Sequence, residues 1–251
     1  MIHQIIFSPT GGTKRVCEQI CKGFDMPSVI TDLCLTDEKR KPLALQPDDV
    51  AVIAMPVFMG RVPEVAVRRL RQIDSGGARC VVAAVYGNRA YEDALLEMYD
   101  TAEAMDFNVV AAVSAVAEHS IAKVYATGRP DTDDCRELTD FGRTVIGKIN
   151  RGDTALKTAI PGNRPYRSVN AGPCPVADDS CAECGECAAL CPVGAIPVDS
   201  PRTVLKDLCI SCMRCVDVCP TGARGIGPAR AFTIEKLKTV CAVRRGNELF
   251  V

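Results

Sequence analysis

The sequence predicts an α/β fold, a doubly wound parallel sheet of five strands, followed by a small cysteine-rich α+β domain. Three observations carry this. Through roughly the first 150 residues, short apolar runs alternate with helix-patterned stretches, the rhythm of strand–helix–strand units. The runs VAVIAM (50–55) and VVAAVY (81–86) have no polar alternation, as strands covered on both faces require. Beyond that half, eight of the fifteen cysteines fall in two matching segments between 181 and 219.

The elements follow in order. IHQIIF (2–7) reads as the first strand and runs into SPTGGT (8–13). A helix follows over 12–23, with Thr10 or Gly11 as its cap. Further strands are expected at 28–33, 49–55, 79–86 and 108–116, and further helices at 63–73, 92–105 and 132–150. Pro63 suits the first turn of its helix. The first domain is thus 1–150. Residues 151–173, rich in Gly, Pro, Asn and Arg, read as a linker, and 174–228 as the cysteine domain. The tail, 229–251, is expected to be helical and to pack on one of the two domains.

Composition narrows the function. The 251 residues are 47% hydrophobic and 24% charged, with a formal net charge of −1, so a globally basic nucleic-acid binder is not expected. No run of eighteen apolar residues suggests a membrane span, and the N-terminus lacks a signal-peptide layout. Metal ligation then fits the unpaired, unevenly spaced cysteines better than a secreted disulfide scaffold, and a reducing cytoplasm is the expected location. No nicotinamide fingerprint, Walker loop, nucleophile elbow or zinc-protease motif occurs.

The repeat is explicit. Residues 181–196 read CAECGECAALCPVGAI and 209–224 read CISCMRCVDVCPTGAR, each C-x2-C-x2-C-x3-C-P. Three closely spaced thiolates can wrap one cluster, while the fourth reaches the other. Cys181, Cys184, Cys187 and Cys219 are therefore expected to hold one [4Fe-4S] cluster, and Cys209, Cys212, Cys215 and Cys191 the second. A pair of zinc sites is the rival reading of CxxC pairs, and the double Cys-Pro ending weighs against it. Between 174 and 228 seven acidic residues face four basic ones, which suits a partner with a basic patch or simply a solvated face. This region resembles the bacterial-type dicluster ferredoxins.

At the other end, Ser8, Thr10, Gly11, Gly12 and Thr13 lie between a strand and a helix, where open parallel sheets bind ligands and a phosphate meets free backbone N–H groups. With this loop, the first half resembles the flavodoxin family. The resemblance implies the strand order 2-1-3-4-5 and FMN as cofactor, its phosphate on residues 8–13. Its flavin ring would lie on two later loops, Phe58, Met59 and Gly60 in one, Tyr86, Gly87, Asn88, Arg89 and Tyr91 in the other. No Trp is present to stack on it. The whole chain resembles the flavodoxin-plus-ferredoxin fusion proteins of anaerobes, a group that Ala117–Ser120 and Gly128–Asp131 also match. His119 reads either as a satisfied loop histidine or as a flavin or substrate contact.

Of the other cysteines, Cys17 and Cys21, one helical turn apart, read as buried small hydrophobes, and Cys174 as a bystander beside the clusters. Three functions remain open. The first is an electron carrier passing low-potential electrons between FMN and the two clusters, with redox proteins as donor and acceptor, within one chain or across a dimer. The second is a flavin-dependent reductase of a small molecule, fed by the clusters. The third is a ferredoxin with an FMN-free docking domain.

Overall fold

A computed structural model describes residues 1–170 and 172–251. In chain order its elements are β1 (Ile2–Ile6), α1 (Gly12–Lys22), β2 (Ser28–Asp32), β3 (Val50–Pro56), α2 (Glu64–Leu70), β4 (Arg79–Tyr86), α3 (Ala94–Glu103), β5 (Asn108–Val116) and α4 (Thr132–Asn150). The cysteine-rich part follows with β6 (Val176–Ala177), α5 (Glu186–Ala189), α6 (Arg214–Asp217) and β7 (Arg224–Gly225). The chain ends with α7 (Pro228–Leu237) and β8 (Glu248–Phe250).

The main sheet runs β2-β1-β3-β4-β5-β8. Its first five strands are parallel, in the flavodoxin-like order 2-1-3-4-5. Side chains alternate between two cores. Ile5, Ile53, Val82 and Ala84 face one core with Val65, Ala66 and Leu70 of α2 and Leu95 and Met98 of α3. Ile6, Val52, Ala54, Val81 and Ala83 face the other, with Val16, Cys17 and Ile20 of α1 and Leu138 and Val145 of α4. This two-residue alternation explains why the strands read as unbroken apolar runs: both faces are dry.

Three features differ from the sequence reading. The sheet gains a sixth strand: β8 pairs antiparallel with β5, Phe250 opposite Ala112 and Glu248 opposite Ser114. The tail expected as helix therefore holds α7 and a strand. Of the stretch 151–173 expected as a linker, residue 171 lies outside the described residues, and the preceding part is tied down. Asp93 accepts hydrogen bonds from the backbone N–H of Asn163 at 2.9 Å and of Arg167 at 2.7 Å, and Arg61 donates to the Arg167 carbonyl at 2.8 Å. Pro63 is the cap of α2 and not its first residue.

The cysteine-rich part repeats its backbone. Glu183 and Ser211, Gly185 and Met213, and Gly194 and Gly222 occupy matching places, and all six have positive φ. Three of them are not glycine. Left-handed backbone at such residues is uncommon, so its recurrence in both halves marks a shape that the loop must keep.

Candidate functional site

The eight repeat cysteines gather into two groups of four. One cavity is lined by Cys181, Cys184, Cys187 and Cys219, the other by Cys191, Cys209, Cys212 and Cys215. Each group takes three thiols from one repeat and one from the other. The four thiols of each group surround a space; among the described residues none converge in threes on a single ion position. Such a ring of soft ligands around an open volume fits a polynuclear iron–sulfur centre. A backbone donor points at sulfur as well: Ala195 N–H donates to the Cys191 thiol at 3.2 Å.

The second group is the one beside the α/β domain. Arg69 of α2, 4% exposed, donates to the carbonyl of Pro192, next to Cys191, at 2.8 Å and to that of Leu33 at 2.9 Å. No sequence signal pointed to Arg69, because the run RRLR (68–71) reads as a solvated helix face. Cys34, one residue on from Leu33, accepts the Ser8 N–H at 3.2 Å. Burial pushes its thiol up to about 12, with Asp32 adding to the shift and Arg214 of α6 opposing it. Cys174 stands beside Cys209, whose thiol burial pushes up to about 11, with Cys174 adding to the shift. Cys17 and Cys21 are buried in the α1 core.

The loop of residues 8–13 lies at the carboxyl ends of β1 and β3. Ser8 accepts the Lys14 N–H at 2.9 Å, and Gly11, at φ +85°, precedes α1 without giving it a side-chain cap. With the Lys14 N–H taken by Ser8, the N–H groups of Gly12 and Thr13 remain for an anion. Two adjoining cavities share Thr10 and Gly12. The outer one, about 370 Å³, is lined by Gly11, Lys14, Arg15, Lys123 and Arg129 among others. The inner one, about 60 Å³, lies between the ring loops, with Thr13, Phe58, Tyr86, Gly87 and His119 in its wall. Their donors and apolar side chains suit a phosphate and the edge of a flat apolar group, and His119 stands in the wall. A Cβ on Gly87 would stand 2.7 Å from the His119 ring, so only glycine leaves the imidazole its place.

His119 Nδ1 accepts the N–H groups of Ile121 at 3.2 Å and Ala122 at 3.1 Å, which assigns the proton to Nε2. Burial lowers its proton affinity, and Arg89 adds to this against an opposing backbone hydrogen bond. It is a neutral donor in the wall of the slot.

Other expected ring contacts lie elsewhere. Asn88 is buried and bound to the tail, donating to the carbonyls of Cys241 at 3.1 Å and Val243 at 2.9 Å. Arg89 pairs with Glu92 at 2.7 Å. Tyr91 packs edge-on against Tyr86, centroids 5.5 Å apart, with its hydroxyl toward Glu248 and Ser114. Gly60 packs on Glu92. Met59 lines a third cavity, about 440 Å³, which runs from Phe58 to Cys209 and Ile210.

Comparison with known proteins agrees with this division. Residues 178–194 and 203–224 each match a family described as a 4Fe-4S binding domain, and these spans contain the eight repeat cysteines. No curated protein sequence matches the chain. Among solved structures, a flavodoxin from the domain Archaea is 14% identical, with a TM-score of 0.41, covering 60% of this chain and 99% of its own. Megasphaera elsdenii flavodoxin is 13% identical, with a TM-score of 0.41, covering 59% and 99%. An oxidoreductase from Corynebacterium diphtheriae is 14% identical, with a TM-score of 0.44, covering 60% and 94%. The class is therefore a flavodoxin-like α/β domain joined to a ferredoxin-type 4Fe-4S region. Its two matched segments mark the C-terminal region as one that binds 4Fe-4S centres. Among the described residues no helix is long and apolar enough to cross a membrane.

Proposed function

We propose that this chain is an electron carrier that links FMN, held by the domain of residues 1–150, to two [4Fe-4S] clusters held by residues 174–228, and passes low-potential electrons to and from redox proteins. The observation that carries the reading is continuity. Phe58 borders both the slot at the loop of residues 8–13 and the cavity that ends at Cys209, and Cys209 belongs to the thiol group nearest the α/β domain. Bound FMN would supply exchange between two-electron and one-electron chemistry, and each cluster would carry one electron.

The residues of this chain do the rest. Thr10, Gly11, Gly12 and Thr13 offer N–H and hydroxyl donors to the phosphate. Val57, Phe58 and Tyr86 keep water from the ring. His119 donates from Nε2 and stays neutral. The ligand sets are Cys181, Cys184, Cys187 and Cys219, and Cys191, Cys209, Cys212 and Cys215. The continuity favours transfer within one chain over transfer across a dimer.

Iron and FMN counted per chain after anaerobic reconstitution test this. Eight irons and one FMN are expected, and protein holding iron but no flavin would leave the FMN-free docking reading. Thr10→Ala with Thr13→Ala removes two contacts to a charged group, each worth about 1.5–3 kcal/mol. FMN affinity should fall tens-fold or more in a fluorescence titration, and unchanged affinity would remove the loop from the site. The reductase reading has one observation in its favour, the cavity of about 440 Å³ between Phe58 and Cys209, which has room for a small molecule.

A further inference from the structure

The two repeats share their four cysteines and the Pro, Gly and Ala that follow, and at the next position a buried apolar residue in one is replaced by a buried charge in the other. The residue five after the Cys-Pro cysteine is Ile196 in the first repeat and Arg224 in the second. Ile196 lines the cavity of Cys191, Cys209, Cys212 and Cys215. Arg224 lines that of Cys181, Cys184, Cys187 and Cys219. An isoleucine there needs no explanation, but an arginine 3% exposed does.

The guanidinium stands in the wall of the first cavity and reaches a wall residue of the second. Nη1 donates to the Pro175 carbonyl at 3.5 Å, and Pro175 walls the second cavity. Nη2 donates to the carbonyl of Pro201, which walls the first. Both partners are carbonyls and neither is a carboxylate, so neither neutralises the charge. Nε is buried and has no partner among the described residues. A buried cation in this condition is costly unless an anion stands near. The cavity it lines holds four thiols, anionic once they ligate iron, and one exposed carboxylate, Glu183. Arg224 shares a cavity wall with Cys219 of one set, and its charge acts on Cys215 of the other.

We propose that Arg224 is a fixed positive charge shared by the two thiolate sets, raising the reduction potential of both centres and easing uptake of the second electron. This rests on the ligand sets given under the proposed function. Two centres that each carry four thiolates are anionic and repel, and every added electron increases the repulsion. A cation between them favours each added electron by Coulomb attraction in a medium of low dielectric. Each centre gains one electron from an external reductant, with no bond made or broken. The asymmetry with Ile196 means that one arginine serves both centres.

The test is an anaerobic redox titration of the reconstituted holoprotein with dithionite as reductant, followed by electron paramagnetic resonance, with iron counted in each sample. In Arg224→Gln, the ratio of reduced to oxidised form of both centres at fixed potential should fall at least tenfold, which is about 59 mV for a one-electron couple. Arg224→Lys should stay near wild type. Gln-variant potentials that do not move, at full iron content, overturn the proposal. So does an equal fall in both variants, which would make shape and not charge the cause. If the Gln variant loses iron, the Lys variant decides: full iron with near-wild-type potentials supports the proposal. Loss of iron in both would make Arg224 a folding residue and also overturn it. Wild-type protein that takes up no iron sinks the ligand assignment itself, a separate failure seen before any potential is measured.

Discussion

Arg129 and Asp134 form an ion pair at 2% and 3% exposure, and much of the wall of the site at the loop of residues 8–13 hangs on it. Arg129 also donates to the Arg245 carbonyl at 2.7 Å, and its own carbonyl accepts the N–H of Glu118, in the cavity wall, at 3.1 Å. Asp134 accepts from Asn247 at 3.1 Å. Burial pushes the Asp134 carboxyl up, but the Arg129 guanidinium and the Asp131 N–H outweigh it and hold the group at about 2, below its ordinary 3.8. A carboxyl lowered by folding stabilises the fold fully above its unfolded value and loses that contribution as pH falls from about 4 towards 2. Asp134→Asn leaves a buried guanidinium without its counter-ion, a change that costs about 3–5 kcal/mol. Urea melts at neutral pH should show that loss, and the acid limb of stability between pH 4 and 2 should flatten. A variant with wild-type stability and an unchanged acid limb would show that the pair is dispensable.

Among the elements, the crossing of α1 and α4 is the most demanding contact. Gly23 and Gly142 face each other across it. A Cβ on Gly142 would meet the Ile20 carbonyl oxygen at 2.1 Å, and one on Gly23 the Thr139 carbonyl oxygen at 2.1 Å. Alanine is the better helix former by about 0.8–1.0 kcal/mol, but overpacking a tight contact typically costs about 1–3 kcal/mol, and here the obstacle is backbone. Gly142→Ala should therefore lower stability, with a fall in Tm of about 2–4 °C per kcal/mol for a chain near this size. A melting point at or above wild type would show that the helices separate freely.

The same scale explains what sequence could reveal. Strands such as Val50–Pro56 and helices such as Thr132–Asn150 carry their own periodicity, so they are legible one at a time. β8 has three residues and no pattern of its own. It is placed by pairing with β5 and by the grip of Asn88 on the carbonyls of Cys241 and Val243. That grip also explains why Asn88 and Tyr91, which suit a flavin by family pattern, face the tail here. The thiol groups were legible because C-x2-C-x2-C-x3-C-P is a local code. Arg69 and Arg224 were not, because a buried arginine is defined by what surrounds it and not by its neighbours in the chain.

At the scale of the whole molecule, the two redox regions meet at a small number of fixed points. Arg69 binds the Pro192 carbonyl, and Lys123 pairs with Asp217 at 2.5 Å. Both contacts reach the thiol group of Cys191, Cys209, Cys212 and Cys215 or the short helix beside it. In the other group Cys184 is exposed. Crossed ligation makes this layout testable. Cys191→Ser lies in the first repeat but should damage the centre of the second, the one next to the α/β domain. Cys219→Ser should do the reverse. Iron content and paramagnetic resonance should show one intact centre in each variant. Flash reduction of bound FMN should then pass an electron to the surviving centre quickly in Cys219→Ser and slowly in Cys191→Ser, because only the first retains the near centre. Loss of the centre made by its own sequence neighbours in Cys191→Ser would refute crossed ligation. Equal transfer rates in the two variants would refute the ordering of the centres along the chain, since the near centre could then be bypassed.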